Sequence, residues 1–175
     1  MSGQDSRRYL VDIDTISAHQ LFTDCLILGA GIAGLRAAIE AASCQKVIVA
    51  CKCSLQKSNS WLAQGGIASV LNKTDTFESH IADTVSTGCG LSYEPVADLV
   101  VRQGPQLVRQ LLDWGTEFDM SEGSIATALE GGHSQPRVAH AHGDETGKFI
   151  AEALIKKARQ NPNIRIFENF YALHL

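Results

Sequence analysis

The chain has 175 residues, 45% hydrophobic and 19% charged, with a formal net charge of −4. That length suits one ordinary domain, and that balance supplies a packed core rather than a disordered chain. With 6% aromatic residues and a negative net charge, nothing in it recommends a nucleic-acid partner or a base-stacking surface, and no apolar run is long enough to span a bilayer.

Residues 1–22 read as a polar lead-in to a domain spanning 23–175. Arg7 and Arg8 are followed by Asp12 and Asp14 with no apolar h-region, so no targeting sequence is read there and a cytoplasmic protein is expected. Strand one is predicted over 23–28. The helix after it carries Ile32, Leu35, Ala38, Ile39 and Ala42 at helical spacing. Strand two is the apolar run Val47–Cys51, as in a buried parallel strand, which makes a βαβ start.

A Ser- and Lys-containing loop covers 52–60. Asp75 and Glu78 resemble a capping box that opens a helix burying Phe77, Ile81 and Val85. Gly88-Cys89-Gly90 ends it. Pro95 starts a further helix with Val96, Leu99 and Val100 as its apolar face. Gly104-Pro105 predicts a break and a second helix with Leu107, Val108, Leu111 and Leu112 inward, closed at Gly115. Residues 121–145 are rich in Gly, Ser and His and read as an irregular functional segment. Thr146 is expected to cap a helix over 147–160, stopped by Asn161-Pro162-Asn163, and a strand begins at Ile164 and continues toward Leu175. The fold class is α/β: a Rossmann-like, incomplete parallel sheet with a helical insertion around 75–115.

Strand one runs into Gly29-Ala30-Gly31-Ile32-Ala33-Gly34, a G-x-G-x-x-G between a strand and a helix. In that context the motif means dinucleotide binding. Gly29 allows the tight turn, Gly31 lets the backbone approach a pyrophosphate, and Gly34 lets helix and strand pack closely. The free N–H groups at the helix start face the phosphates. The acid that usually follows about 20 residues later, for a ribose hydroxyl, is absent: the region reads Val49-Ala50-Cys51-Lys52. Lys52 fits the 2′-phosphate of NADP, a pyrophosphate, or simply solvent. Cys51-Lys52-Cys53 reads as small residues at a strand end rather than a redox pair, and the five cysteines as free thiols.

Two further segments carry chemistry. In Asn59-Ser60-Trp61-Leu62-Ala63-Gln64-Gly65-Gly66 the paired glycines remove side chains that would clash with a planar ring, and the Ser60 hydroxyl can bond ring or phosphate oxygens. Glu130-Gly131-Gly132-His133-Ser134 sets a carboxylate and an imidazole around two glycines. It reads as a polar pocket for a charged substrate, with His133 near neutrality for proton handling. His140 and His142 follow at strand spacing. They read first as structural histidines; no ligand set completes a metal site.

Together with Ser79-His80, Asp83-Thr84 and Thr146-Gly147, these segments resemble the amino-terminal part of the L-aspartate oxidases. That family is related to the flavoprotein subunits of succinate dehydrogenase and fumarate reductase. The resemblance implies that Gly29, Ala30, Gly31, Ile32 and Gly34 hold the pyrophosphate of FAD and that Lys52 contacts the cofactor. It implies that Asn59, Ser60, Trp61, Leu62, Ala63, Gln64, Gly65 and Gly66 line its flavin side. Glu130 would orient L-aspartate by pairing with its α-ammonium. Succinate dehydrogenase-like chains carry a covalently linking His where this chain has Asn59, so non-covalent FAD is implied. They resemble Phe-Gly-Gly-Gln where this chain has Glu130-Gly131-Gly132-His133, and an acid there suits an amino acid.

The implied reaction is oxidation of L-aspartate to iminoaspartate, the first step of NAD biosynthesis. Oxygen or fumarate is the implied electron acceptor and quinolinate synthase the implied user of the product. Family members are longer, so an amino-terminal fragment is expected, without the cap domain, the carboxyl-terminal helical domain and the family's catalytic Arg and His, and with little activity alone. Arg137 is expected in a salt bridge. The alternatives are a fumarate or succinate oxidoreductase subunit, an NADP-binding reductase using Lys52, and a non-catalytic nucleotide-binding module.

Overall fold

The computed structural model describes residues 19–173. Most of the predicted lead-in and the last two residues of the predicted terminal strand lie outside the described residues.

Three parallel strands form the main sheet in the order β1-β2-β8: β1 (Cys25–Leu28), β2 (Val47–Cys51) and β8 (Ile164–Glu168). β2 is central, and its continuous apolar run is buried except at Ala50, as a strand covered on both faces requires. In the edge strand β1, Cys25 and Ile27 turn toward the core while Leu26 and Leu28 are exposed. Helix α1 (Ile32–Ala41) follows the glycine turn, and helix α4 (Thr146–Arg159) precedes β8. Leu35, Ala38 and Ala42 meet Ile150, Leu154 and Ala158 over Val47 and Val49 in one core. Each fully buried Leu there contributes about 1.5–3 kcal/mol.

The helical insertion is a pair, α2 (Phe77–Thr87) and α3 (Glu94–Asp113), packed on each other. Three expectations change here. Thr76, not Asp75, caps α2, its hydroxyl accepting from the Ser79 amide at 3.1 Å, because Asp75 is engaged elsewhere. α3 is one 20-residue helix that continues through Gly104-Pro105. Val101, Pro105 and Val108 share its buried face, so packing holds the helix across the missing N–H, and Gly104 brings no Cβ to the crowded position before the proline. The buried face is therefore Ala97, Val101, Pro105 and Val108, while Val96, Leu99, Val100, Leu107 and Leu112 are exposed.

The 121–145 stretch is more regular than expected. β4 (Met120–Ser121) and β5 (Ser124–Ile125) pair across Glu122 and Gly123, both at positive φ, the geometry of a tight two-residue hairpin. β3 (Ile67–Ala68), β7 (Val138–Ala139) and β6 (Thr127–Ala128) form a small antiparallel sheet in that order. Two-residue strands are too short to show alternation in sequence. Thr146 lies inside α4, and its hydroxyl accepts from the Ala141 amide at 3.1 Å instead of capping its own helix. Among the described residues no helix is long and apolar enough to cross a membrane.

Candidate functional site

The glycine turn closes the carboxyl end of β1. Gly29 has φ +105° and donates its amide to the Ala50 carbonyl at 2.8 Å. A Cβ on Gly34 would stand 2.0 Å from the Gly29 carbonyl oxygen, so helix and turn touch backbone to backbone. A Cβ on Gly31 would meet the Ser60 hydroxyl at 3.1 Å. That hydroxyl accepts the Ile32 amide at 3.2 Å. The Ile32 N–H is therefore already bonded at the start of α1, and the Ser60 hydroxyl stands at the turn in its place.

Beside the turn lies a cavity of about 440 Å³. Its walls are residues 28–31, 50–55, 57–60 and 170–172. Lys52 and Lys57 are the charged side chains on those walls, and no carboxylate lines them. Glu168 pairs in register with Cys51, yet its carboxylate faces away, accepting from the Leu55 amide at 3.0 Å and from Arg159 at 3.2 Å. Burial, with the Glu168 charge and Cys53 added, pushes the Cys51 thiol above its ordinary value.

The 59–66 segment divides. Asn59 and Ser60 line the cavity. Trp61 packs into the core and borders a separate cleft with Lys156 and Arg159. Leu62, Ala63, Gln64 and Gly65 are exposed, and nothing lies within 4 Å of where a Cβ on Gly65 would sit. Gly66 is pinned: its Cβ would be 2.4 Å from Val138, 2.6 Å from the Ala139 carbonyl and 2.9 Å from His140 Nε2. The start of α4 braces the segment from below. The Gly147 amide donates to the Ala63 carbonyl at 3.1 Å, and a Cβ there would lie 2.2 Å from the Ser60 carbonyl.

The Glu130 segment reaches the same neighbourhood through His140, whose Nε2 is 2.8 Å from the exposed Glu130 carboxylate. The segment is gripped by one ridge of α2 at i, i+4, i+8 spacing. Ser79 Oγ lies 3.1 Å from Ser134 Oγ, the Asp83 carboxylate accepts from the Ser134 amide and hydroxyl at 2.7 and 2.8 Å, and the Thr87 hydroxyl donates to the Gly132 carbonyl. Beneath it Arg137, closed to solvent, bonds Asp75 twice and also reaches Asp83 and Ser79. His133 Nδ1 is 3.4 Å from Arg137, and its ring meets His80 edge-on at 5.6 Å.

The Ser134 amide bond, helped by the Ser134 hydroxyl and Arg137, holds the Asp83 carboxyl down at about 2. Burial opposes ionisation of Asp75, but the Arg137 bonds and the Thr76 amide outweigh it and keep that carboxyl low as well. Burial, then the Arg137 charge and His133, lowers the His80 imidazole, and among the described residues its Nδ1 has no partner. Sequence reasoning placed Arg137 in a salt bridge and did not find its partners. The one signal was the pair Ser79-His80 and Asp83-Thr84, which carried the resemblance without a role. His142 bonds Glu117 at 2.9 Å and stacks on Phe149. Among the described residues no three His, Cys, Asp or Glu side chains converge to hold a metal ion.

A glycine turn closed backbone to backbone, a helix start and two lysines around one cavity fit a dinucleotide. The family model described as FAD binding domain matches residues 24–175. The chain belongs to the FAD binding domain family. This FAD binding domain is 38% identical over 162 residues to the chloroplastic L-aspartate oxidase of Arabidopsis thaliana, covering 92% of the chain and 25% of the relative. It is 40% identical to the L-aspartate oxidase of Acinetobacter baylyi over 87% of the chain and 28% of the relative. It is 41% identical to that of Mesorhizobium japonicum over 92% and 32%. The chain thus spans between a quarter and a third of the length of these relatives. Among solved structures, the FrdA chain of E. coli quinol fumarate reductase superposes with a TM-score of 0.80 at 35% identity, covering 84% of this chain and 26% of that one. Mycobacterium smegmatis Sdh1 gives 0.79 at 33% identity, covering 84% and 27%.

The residues present fit FAD. A side chain at Gly31 would crowd Ser60, and Lys52 and Lys57 on the cavity walls, with no carboxylate beside them among the described residues, have the charge a diphosphate would need.

Proposed function

We propose that this chain is the cofactor-binding and substrate-facing part of an enzyme that oxidises L-aspartate to iminoaspartate with non-covalent FAD. The observation that carries the reading is the Glu130–His140 contact. His140 lies at once against the Glu130 carboxylate and against the backbone of Gly66. A carboxylate beside the Gln64-Gly65-Gly66 segment is suited to an α-ammonium group, which succinate lacks.

The chemistry a bound FAD would supply is a hydride acceptor for the substrate Cα; this chain's residues would bind, orient and shield. In this reading Gly29–Gly34, Lys52 and the Ser60 hydroxyl hold the diphosphate. Ser60 through Gly66 present backbone to the flavin. Asn59, which has no nucleophilic ring nitrogen, leaves the cofactor unlinked. Glu130 pairs with the substrate ammonium while His140 holds that carboxylate in place, and His133, on the same loop, turns its ring to Arg137 and His80. Oxygen or fumarate is the proposed acceptor, and the product would pass to quinolinate synthase in NAD biosynthesis. All five cysteines are free thiols, which suits the proposed cytoplasmic setting.

The test is spectroscopic. The chain should take up FAD, release it intact on denaturation, and show a flavin spectrum that shifts with L-aspartate and not with succinate. Glu130→Gln should abolish the aspartate shift. An equal response to succinate would favour the fumarate or succinate oxidoreductase reading, for which the structural likeness to quinol fumarate reductase speaks. Peroxide formation on L-aspartate by the chain alone should be weak, because the part of the relatives it spans is a minority of their length.

A further inference from the structure

The loop that carries Glu130 cannot order itself. It joins β6 to β7, whose pairing is two residues long on each side, and so short a ladder does not hold a connection of residues 129–137 in one shape. Glu130 meets His140 Nε2 at 2.8 Å, yet its side chain is 45% exposed, and one contact by a long exposed side chain does not fix a backbone. The His133 amide donates to the Glu130 carbonyl at 3.2 Å. That bond closes a local turn and leaves the direction of the turn open.

α2 supplies that direction. Ser79, Asp83 and Thr87 stand one helical turn apart on one ridge. The loop runs along the ridge in the opposite sense: Gly132 against Thr87, Ser134 against Asp83 and Ser79, and Arg137 against Asp83, Ser79 and, just before the helix, Asp75. The approach is close. Gly132 has φ +82°, and a Cβ on it would lie 3.1 Å from the Thr87 hydroxyl and 3.2 Å from the Thr87 methyl group. The Asp83 carboxyl, held down at about 2, stays ionised through the neutral range and keeps its grip there. Among the described residues, none from α2 or from the loop lies on the walls of the cofactor cavity. The ridge therefore bears on Glu130 and not on the glycine turn.

We propose that Thr87, Asp83 and Ser134 are positioning residues for substrate recognition. Their bonds index the loop on α2 so that the Glu130 carboxylate stands against His140, ready for an ammonium group. The ammonium half rests on the L-aspartate reading of Glu130; the placement of Glu130 does not. None of the three touches substrate or cofactor, and each acts through Glu130. Losing one of these bonds loosens the loop by what a single hydrogen bond contributes, about a two- to tenfold change in affinity.

The experiment is nitrogen NMR of the histidine-labelled chain, with the His140 ring signal assigned by its loss in His140→Gln. Glu130→Gln should displace that signal, because the carboxylate beside Nε2 is gone. Thr87→Val and Ser134→Ala should displace it in the same direction. Thr87→Ser, which keeps the hydroxyl, should leave it at the wild-type position. With FAD bound, Thr87→Val and Ser134→Ala should need about two- to tenfold more L-aspartate for half of the flavin shift, while FAD affinity by calorimetry is unchanged. Unaltered thermal melting shows that the variants are folded. The positioning role is overturned if both ridge variants keep the wild-type His140 signal, if Thr87→Ser displaces it as far as Thr87→Val, or if FAD affinity falls along with L-aspartate affinity. A wild-type flavin spectrum that ignores L-aspartate would sink the aspartate reading alone, and the His140 signal would still decide the placement of Glu130.

Discussion

Arg137 and Asp75 are joined by two parallel hydrogen bonds, Nε to Oδ2 at 2.9 Å and Nη2 to Oδ1 at 2.8 Å, with both side chains closed to solvent. They are 62 residues apart in the chain. Breaking one side of such a pair leaves a buried charge without compensation. Arg137→Met should therefore cost about 3–5 kcal/mol of stability. Arg137→Lys should cost less, since it keeps the charge but not the two-pronged geometry. Urea unfolding measures both, and a loss under about 1 kcal/mol for the Met variant would mean that water reaches Asp75.

The glycines should not be equivalent. Gly34→Ala forces a Cβ into the Gly29 carbonyl, and Gly66→Ala forces one into Val138 and the Ala139 carbonyl. Each should destabilise by about 1–3 kcal/mol or more, as overpacking against backbone does. Gly65→Ala meets nothing within 4 Å and should stay within about 0.5 kcal/mol of wild type. Thermal melts of the three variants give the ranking, and a Gly65 variant as damaged as the other two would contradict it.

Acid should erode stability over two separate pH ranges. The folded state holds His80 below its ordinary value of 6.5, so the unfolded chain binds that proton more readily. Stability from His80 is full above 6.5 and erodes as pH falls below it. Asp83 is depressed from 3.8 to about 2. Its contribution is full above 3.8 and is lost as pH falls toward 2. Chemical denaturation at stepped pH should show both slopes. His80→Leu should flatten the first and keep the second, and Asp83→Asn should keep the first and make the second shallower, with Asp75, also held low, supplying the rest.

The thiols offer a footprint of the cavity. Cys44 and Cys89 are exposed, Cys53 is half-buried on the cavity wall, and Cys51 is buried with a raised pKa. Iodoacetamide followed by mass spectrometry should modify Cys44 and Cys89 first and Cys51 last, because the thiolate is the reacting form. Saturating FAD should slow Cys53 at least several-fold and leave Cys44 and Cys89 unchanged. Equal protection of all four would point to a general tightening rather than occupancy of this cavity.

The β1-α1-β2 unit was legible because its signals are local. An apolar run, three spaced glycines and a helical repeat lie within 30 residues and act through backbone sterics and burial. α3 was misread at Gly104-Pro105 because the local rule against an internal proline was outweighed by packing of Val101, Pro105 and Val108. Its periodicity announced an amphipathic helix, put Val108 and Leu111 inward as found, and assigned the wrong side to the first half. Val96, Leu99 and Val100 form a good stripe, and the fold covers Ala97 and Val101 instead. The hairpin at Glu122-Gly123 was missed because its strands are two residues long.

The sequence by itself determined the family of the chain and the class of its cofactor. Glycine spacing and the two Gly-Gly segments are constraints that the backbone imposes wherever the chain goes. Only the tertiary structure decided which groups are free to meet a ligand. It spent the Ile32 amide on Ser60, turned Glu168 away from the cavity, set Glu130 on His140, and brought Phe170 and Tyr171 to the cavity wall. All but one of these pairings join residues more than 20 positions apart or wait on a strand arriving from the far end of the chain. Hydrogen-bond partners at that range are chosen by how elements pack, and no local pattern records the choice.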